Sequence, residues 1–317
     1  MSEGTVIHWF RRDLRLRDNL ALHAAIMSGR RVLPLFILDD HILQSARFSP
    51  HRMRFLLAAL QSLNDSLHQF GSQLVVQRGN PREILPRIVQ SVQASAVYAN
   101  RDYTPYSIQR DRVVEQSLQV PLHLHDDALL LPPGTVLKAN GEPYVVFTPF
   151  KQNWNAQEKP RVSDTPLANR SFTIQNEHST SAMLNPAELG CKTAPLLAPA
   201  SEEAAQMFLR EFVANDLRFY DERRNMLPIA PYRGARPQGT SYLSPYLRLG
   251  LLSPRQAYWA AHDAYTQTSN QNHQKAIATW VSELTWREFY AHILVHFPYV
   301  LTRDFVPTYA RLEWLVS

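Results

Sequence analysis

Hydrophobic residues in the first 125 positions alternate between short uninterrupted runs and longer stretches with helical spacing. The short runs are typical of strands buried on both faces, and they cover residues 6–10, 32–38, 74–77, 96–99 and 122–125. The longer stretches predict helices over residues 20–27, 52–70, 82–93 and 106–118. Repeated βα units of this length predict an α/β fold with a doubly wound parallel sheet, whose ligands bind at the carboxyl ends of the strands.

The pattern changes after residue 130. Aromatic residues are dense between Tyr144 and Phe150, and we expect this segment to pack between two domains. Residues 156–199 are rich in Pro, Asn, Ser and Thr without clear periodicity, which predicts an extended linker. Helical spacing returns after Ser201, a residue type that commonly caps a helix N-terminus.

Two helix starts follow each other between residues 238 and 256. Ser244 before Pro245 and Ser253 before Pro254 each predict an N-cap followed by proline at the first helical position. Gly250 is placed to end the first helix in a left-handed conformation. The residue three positions after Ser253 is a glutamine, so the second start has a capping box.

Gly239, Thr240 and Ser241 lie just before the first of these helices. A residue without Cβ, two hydroxyls and the N–H groups of a helix start are suited to holding a phosphate. The alternative is that these side chains satisfy only their own backbone, and a motif this short does not decide between the two.

The segment from Trp280 to Tyr290 predicts a helix with two different sides. At about 100° per residue, its aromatic and charged residues fall within a face of about 120°, whereas Ile277, Val281 and Leu284 gather on another. That first face carries Trp280, Glu283, Trp286, Arg287 and Tyr290. Indoles, a phenol, a carboxylate and a guanidinium are suited to stacking flat rings and bonding their edges. The alternative is a core helix with a Glu283–Arg287 pair four residues apart.

Three long motifs in order resemble the DNA photolyase and cryptochrome family. They are Trp-Phe-Arg-Arg-Asp-Leu-Arg-Leu-Arg-Asp-Asn at residues 9–19, Gly-Thr-Ser-x-Leu-Ser-Pro-x-Leu-x-x-Gly-x-x-Ser-Pro-Arg-Gln at 239–256, and Trp-x-x-Glu-Leu-x-Trp-Arg-Glu-Phe-Tyr at 280–290. The resemblance covers essentially the whole chain. It implies an α/β antenna-binding domain at residues 1–130, a connector at 131–200 and the N-terminal part of an all-helical, FAD- and DNA-binding domain at 201–317.

The family resemblance also implies a set of site residues. Those expected at FAD are Tyr220, Thr240, Ser241, Tyr242, Leu243, Ser244, Trp280, Glu283 and Arg287. Ultraviolet-damaged DNA is the expected partner, and its expected contacts are Arg224, Glu283, Trp286, Arg287 and Tyr290. The implied reaction is light-dependent repair of cyclobutane pyrimidine dimers by electron transfer from reduced FAD. In it Glu283 bonds the dimer, Trp286 stacks on it, and Trp314 is the outer member of a chain that photoreduces the flavin.

A second, light-harvesting chromophore is implied in the first domain. Folate-binding members of the family carry an Asn-Glu pair where this chain has Tyr106 and Ser107. In deazaflavin-binding members, residues that match Asp102 and Arg248 lie near the antenna. The resemblance therefore favours a deazaflavin over a folate.

Composition adds a few limits. The formal charge of +5 and a pI near 9.3 allow a polyanionic partner without requiring one. The arginines of residues 11–17 alternate with Asp13 and leucines, so we interpret that loop as structural, with ion pairs inside it. A single cysteine, no membrane-length apolar run and no secretory signal favour the bacterial cytoplasm. A monomer is expected, and no metal site is predicted.

The family's motifs continue beyond the position that matches Ser317, which favours a fragment that binds FAD weakly or not at all and repairs poorly. Two alternatives to dimer repair remain open. One is a cryptochrome-type blue-light sensor, and the other is a non-catalytic remnant that binds an antenna or a nucleotide. Repair of the 6-4 lesion is a further option.

Overall fold

The structure is a computed structural model that describes residues 4–45, 48–167, 172, 186–191, 194–225, 239–306 and 308. Its first part is a parallel sheet in the order β3-β2-β1-β4-β5. The strands are β1 Thr5–Phe10, β2 Arg31–Leu38, β3 Val75–Arg78, β4 Ala94–Asn100 and β5 Leu122–His125. The five predicted strands and the doubly wound topology are confirmed, because β1 lies between β2 and β4 and the chain winds outward from it in both directions.

Helices connect these strands as the periodicity predicted. They are α1 Leu20–Met27, α2 Asp40–Leu43, α3 Pro50–His68, α4 Pro81–Ser91 and α5 Pro105–Ser117. The last three begin with proline directly after a side-chain cap, which is Ser49, Asn80 or Thr104. The short α2 has no counterpart among the predicted helices, because four residues are too few to show a period.

The two faces of the sheet bury different clusters. Ile7 and Trp9 point to one face, where α4 and α5 cover them, while Val6 and Phe10 point to the other. The cluster on the second face continues without a break into residues of the helical part such as Phe208. A single apolar core therefore joins the sheet to the helices, and the domain limits at 130 and 200 stay a prediction.

The connector packs against the helical part through aromatic side chains, as predicted. Its helix α6 spans Phe147–Ala156, and the rings of Phe150 and Phe289 have centroids 5.2 Å apart. Glu288 fixes this contact, because its carboxylate accepts hydrogen bonds from the Leu130 and Leu131 N–H groups and from Trp154 Nε1 at 2.6 Å. Burial raises the pKa of Glu288, whereas these donors oppose that shift.

The helical part begins at Ser201, whose hydroxyl caps the next helix as predicted. Its helices are α7 Glu202–Asn215, α8 Tyr220–Arg223, α9 Ser244–Leu249, α10 Pro254–Gln267 and α11 Gln271–His296, with 3₁₀ turns at Leu217–Phe219 and Pro298–Leu301. No helix within the described ranges is both long and apolar enough to cross a membrane.

The start of α9 corrects one prediction. Ser244 is the first helical residue and not the cap, since Leu243 occupies the cap position and its carbonyl accepts the Leu247 N–H. Leu243 is 1% exposed, so its burial sets the start of the helix one residue earlier than the hydroxyl pattern indicated. The left-handed Gly250, at φ 66°, and the Ser253 capping box are both confirmed.

Gly250 also brings α9 into backbone contact with the loop after β1. A Cβ at this position would lie 2.1 Å from the Arg12 carbonyl oxygen, and the Leu14 N–H donates to the Leu249 carbonyl at 3.0 Å. Only a residue without a side chain fits both this approach and a positive φ.

Charged residues of this loop pair mainly outside it, which corrects the predicted ion pairs inside the loop. Arg15 bonds Asp127 at 2.7 Å, and Arg255 of α10 bonds both Asp18 and Asp127. Arg11 bonds Asp111 of α5 at 2.6 Å. The loop therefore joins the sheet to the helical part.

Candidate functional site

Helix α11, with one side chain from the connector and one from the end of α8, lines an open cavity of about 350 Å³. Lys151 of α6, Arg224 after α8 and Lys275 at the start of α11 provide three cationic groups in its wall. Glu283 and Trp286 face the same space. Two of the residues that were predicted to act on a lesion therefore share one cavity with basic side chains.

Glu283 forms an ion pair across the mouth of this cavity. Arg224 Nη1 donates to Glu283 Oε1 at 2.6 Å, and the two side chains are 38% and 43% exposed. The alternative pairing with Arg287, four residues along the helix, is not the one formed. A contact over 59 residues replaces the local one because α8 packs against α11.

Trp286 is held in an aromatic stack. Its ring lies face to face with Phe147, with centroids 3.5 Å apart and planes 6° apart. Tyr290, one turn further along, stacks against it at 5.6 Å and is 64% exposed. Trp286 itself belongs to the cavity wall, whereas Phe147 does not.

Trp280 does not line the cavity, although the helical pattern grouped it with Glu283 and Trp286. It is 3% exposed and packs against Phe212 at 5.3 Å between ring centroids. At about 100° per residue Trp280 lies only about 40° from Leu284, at the border of the two faces, and the neighbouring helix α7 decides its side.

Arg287 does not line the cavity either, although the helical pattern grouped it with Glu283 and Trp286. Burial lowers its pKa to about 10, and the Arg12 charge contributes to that shift. The structure therefore separates Arg287 from the cavity lined by Glu283 and Trp286.

The predicted phosphate loop reaches α9 through two left-handed residues, Gly239 at φ 94° and Tyr242 at φ 53°. The Gly239 N–H donates to Asp216 Oδ1 at 3.3 Å, which fixes the start of the loop. Thr240 and Ser241 are half-buried, Ser244 is exposed, and Leu243 is in the core. Hydroxyls beside the N-terminus of α9 are the donors that a phosphate group requires.

Tyr220 approaches this region from α8. It is 8% exposed and packs edge-to-face on Phe212, and burial with the nearby Glu283 raises its pKa. The donor set of the loop, with this phenol beside it, fits the phosphate and ribityl parts of a flavin nucleotide.

A second candidate site is the crevice that a doubly wound sheet forms at the carboxyl ends of its strands, where the winding direction reverses at β1. Arg12 follows β1 and Asp102 follows β4, and their side chains pair at 3.2 Å. Arg12 Nε also donates to the Arg248 carbonyl at 3.1 Å. The structure thus brings Asp102 and Arg248 together, and Arg12 is the residue between them that the sequence analysis missed.

Electrostatics in this crevice keep Asp102 charged. Burial alone would raise its pKa, but the Arg12 and Arg11 charges reverse this effect and lower the value to about 2. The Arg12 charge, with burial, lowers the pKa of Arg248 to about 10. Nearby, the Tyr106 hydroxyl donates to Asp39 after β2, so Tyr106 adds an aromatic wall to the same edge.

The sequence motifs did not identify two other candidate functional residues. Lys151 and Lys275 belong to none of the motifs, and ordinary surface lysines have the same local pattern. Trp314 lies outside the described residues. Among the residues that the structure describes, no group of three or more His, Cys, Asp or Glu side chains is arranged to hold a metal ion.

Comparison with known proteins agrees with this geometry. Residues 6–169 match the family model for DNA photolyase. The chain is 35% identical over 319 residues to a deoxyribodipyrimidine photo-lyase of Synechococcus sp. strain PCC 6301, which covers 98% of this chain and 64% of that relative. The chain belongs to the DNA photolyase family.

Two solved photolyase structures resemble the chain closely. A bacterial class III photolyase from Agrobacterium tumefaciens superimposes with a TM-score of 0.81 at 28% identity, over 99% of this chain and 64% of that protein. An archaeal photolyase from Sulfolobus tokodaii, which holds two FAD molecules, gives 0.75 at 27% identity, over 98% and 64%. The fold prediction is confirmed, and the chain spans about two thirds of these photolyases.

Proposed function

We propose that the chain acts in light-dependent repair of cyclobutane pyrimidine dimers in DNA. The observation that carries this proposal is the cavity in which Glu283 and Trp286 face three basic side chains. A carboxylate suits the N–H edge of a pyrimidine, an indole suits its ring, and the cations suit the adjoining phosphates. Ultraviolet-damaged DNA is the proposed partner.

Each side chain has a separate task in this proposal. The lesion leaves the helix before it enters the cavity, because stacked bases cannot be reached by an enzyme. Glu283 accepts a hydrogen bond from its base edge, and Trp286 stacks on it, a contact worth about 1–3 kcal/mol per base. Tyr290 extends the stack to the surface, while Arg224 contacts the phosphates.

FAD is the proposed cofactor, and when reduced and bound it supplies a light-excited electron donor. The phosphate loop from Thr240 to Ser244 and the adjacent Tyr220 would hold its phosphate and ribityl parts. Trp280, Glu283 and Arg287 complete the proposed set, with Trp280 acting from the core as a wall. Trp314 is proposed as a route for photoreduction.

A second chromophore is proposed for the crevice at the carboxyl ends of the strands. Asp102 and Arg248, joined through Arg12, supply charged groups to one edge, and Tyr106 supplies a ring. We favour a deazaflavin over a folate. Chromophore extracted from protein purified from its native host tests the choice, and folate or a second FAD would contradict it.

A repair assay tests the main proposal. The 317-residue chain, supplied with reduced FAD, is mixed with an oligonucleotide that contains one thymine dimer, under blue light and in the dark. Restored thymines in the light alone are the expected result, at a low yield because the family resemblance predicts weak FAD binding by these residues. Binding of both FAD and the damaged strand without light-dependent repair would contradict the proposal and favour the light-sensor alternative.

A matched pair of variants tests the role of Trp286. We expect Trp286→Ala to weaken binding of the damaged strand by about 5- to 150-fold, since one stacked base is lost. Tyr265→Ala is the control, because Tyr265 is an aromatic residue of α10 that is 40% exposed and remote from the cavity wall. Equal affinities for Trp286→Ala and the parent would refute the stacking role.

A further inference from the structure

The Arg224–Glu283 ion pair engages the Glu283 carboxylate, which the proposed function assigns to a hydrogen bond with the lesion. Arg224 Nη1 lies 2.6 Å from Glu283 Oε1, and both side chains belong to the wall of the cavity. One of the two carboxylate oxygens is therefore already bonded before any ligand enters.

Charges around this pair favour an incoming anion. Lys151, Arg224 and Lys275 face the cavity with Glu283 as the carboxylate of its wall. Lys275 pairs with Asp221, which is not part of the cavity wall, at 3.5 Å, but that lysine is 75% exposed. The surplus of positive charge attracts phosphate and brings it close to Arg224.

Exchange of partners at Arg224 is energetically easy. Both members of the pair are more than a third exposed, and ion pairs of this kind contribute little to stability. A phosphate offers the planar guanidinium two oxygens at once, so it competes well with one carboxylate oxygen. Arg224 is also held near the cavity by its own N–H, which donates to the Tyr220 carbonyl at 3.0 Å.

We propose that the Arg224–Glu283 ion pair is a latch that a nucleic-acid phosphate opens. When Arg224 transfers to the phosphate, Glu283 is released to accept the N–H edge of the base. Arg224 is then a positioning residue that couples backbone binding to base recognition. This inference rests on the proposed function, in that the released carboxylate serves the lesion.

A double-mutant cycle tests the latch without any photochemistry. The probe is a fluorescent single strand with one abasic site, which carries phosphates but offers no base edge at that position. We expect Glu283→Gln to tighten its binding by about two- to fivefold, because Arg224 is no longer held by the carboxylate. The same substitution should change nothing when Arg224 is already alanine.

Lys151 provides the matched control. It faces the same cavity but does not pair with Glu283, so Glu283→Gln should still tighten binding in a Lys151→Ala background. Arg224→Lys should retain part of the coupling. Tightening of equal size with and without Arg224 would show a general effect of charge and would overturn the latch.

Failure to bind the abasic strand in any variant also overturns it. If the double-mutant cycle shows the expected coupling but light-dependent repair is not observed, the proposed function is contradicted and the latch is still supported.

Discussion

Two sets of cationic side chains in this molecule differ in how completely they are paired. Arg15 and Arg255, which join the loop after β1 to α10, are 1% and 0% exposed; both bond the Asp127 carboxylate, and Arg255 also bonds that of Asp18. Around the α11 cavity Arg224 and Lys275 are exposed and Lys151 is half-buried, and among the described residues these cations outnumber the one carboxylate of its wall. Buried charges need partners from the protein itself, whereas surplus exposed charges remain available to a ligand.

The crevice at the sheet edge lies between these extremes. Arg12 and Asp102 are paired, but their side chains keep 28% and 14% exposure. The contrast predicts that substitutions in the buried set change folding, those in the cavity change binding, and those in the crevice change both.

The largest effect on stability is expected for Arg255→Met. This change leaves Asp18 and Asp127 buried beside a neutral side chain, and breaking such a pair costs about 3–5 kcal/mol. Denaturant unfolding measures the loss. Arg224→Met is the matched control and should cost less than about 1 kcal/mol, since its pair is exposed. Similar losses of stability in both variants would contradict the proposed difference between the buried and the exposed ion pairs.

The next largest loss of stability is expected for Gly250→Ala. Alanine at φ 66° is strained by about 1–2 kcal/mol, and its Cβ also meets the Arg12 carbonyl oxygen at 2.1 Å. Gly29→Ala is the control, because Gly29 has φ 73° with nothing within 4 Å of the added Cβ. Overpacking should make Gly250→Ala worse than this control by about 1–3 kcal/mol. Equal losses of stability in the two variants would mean that α9 shifts away from the Arg12 carbonyl without cost.

The pH dependence of stability that Asp102 of the crevice provides is expected to be an effect of intermediate size. The pKa of Asp102 is lowered from 3.8 to about 2, so its contribution is complete above pH 3.8 and disappears as the pH falls through 2. We expect Asp102→Asn to lose roughly 2 kcal/mol relative to the parent at pH 7 and little at pH 2. Unfolding free energies at both pH values measure this difference. A penalty that is independent of pH would contradict the assigned pairing.

The smallest effect on stability, and a clear effect on binding, is expected for Lys151→Ala. Removal of a half-exposed side chain should change the free energy of unfolding by no more than about 0.5 kcal/mol. If Lys151 contacts a phosphate, the slope of log K against log salt for a single strand falls by about 0.7. Lys138→Ala, an exposed lysine paired with Glu142 away from the cavity, should leave that slope unchanged.

Local patterns determined much of this protein. Uninterrupted apolar runs predicted the five strands, and helical spacing predicted α1 and α3 to α5 to within two residues at each end. The capping box at Ser253 and the left-handed Gly250 were also readable, because each depends on residues three or four positions apart. Family motifs then located Glu283 and Trp286, which the fold brings into one cavity.

Only the tertiary structure decided which partner each charged residue has, and on which side of α11 Trp280 packs. Glu283 bonds Arg224 and not its helical neighbour, Arg15 bonds Asp127, and Glu288 holds the connector. Trp280 joined the core because α7 covers the border of its helix face. These choices depend on contacts between segments 59 to 134 residues apart, and short-range spacing in a sequence carries no information about such contacts.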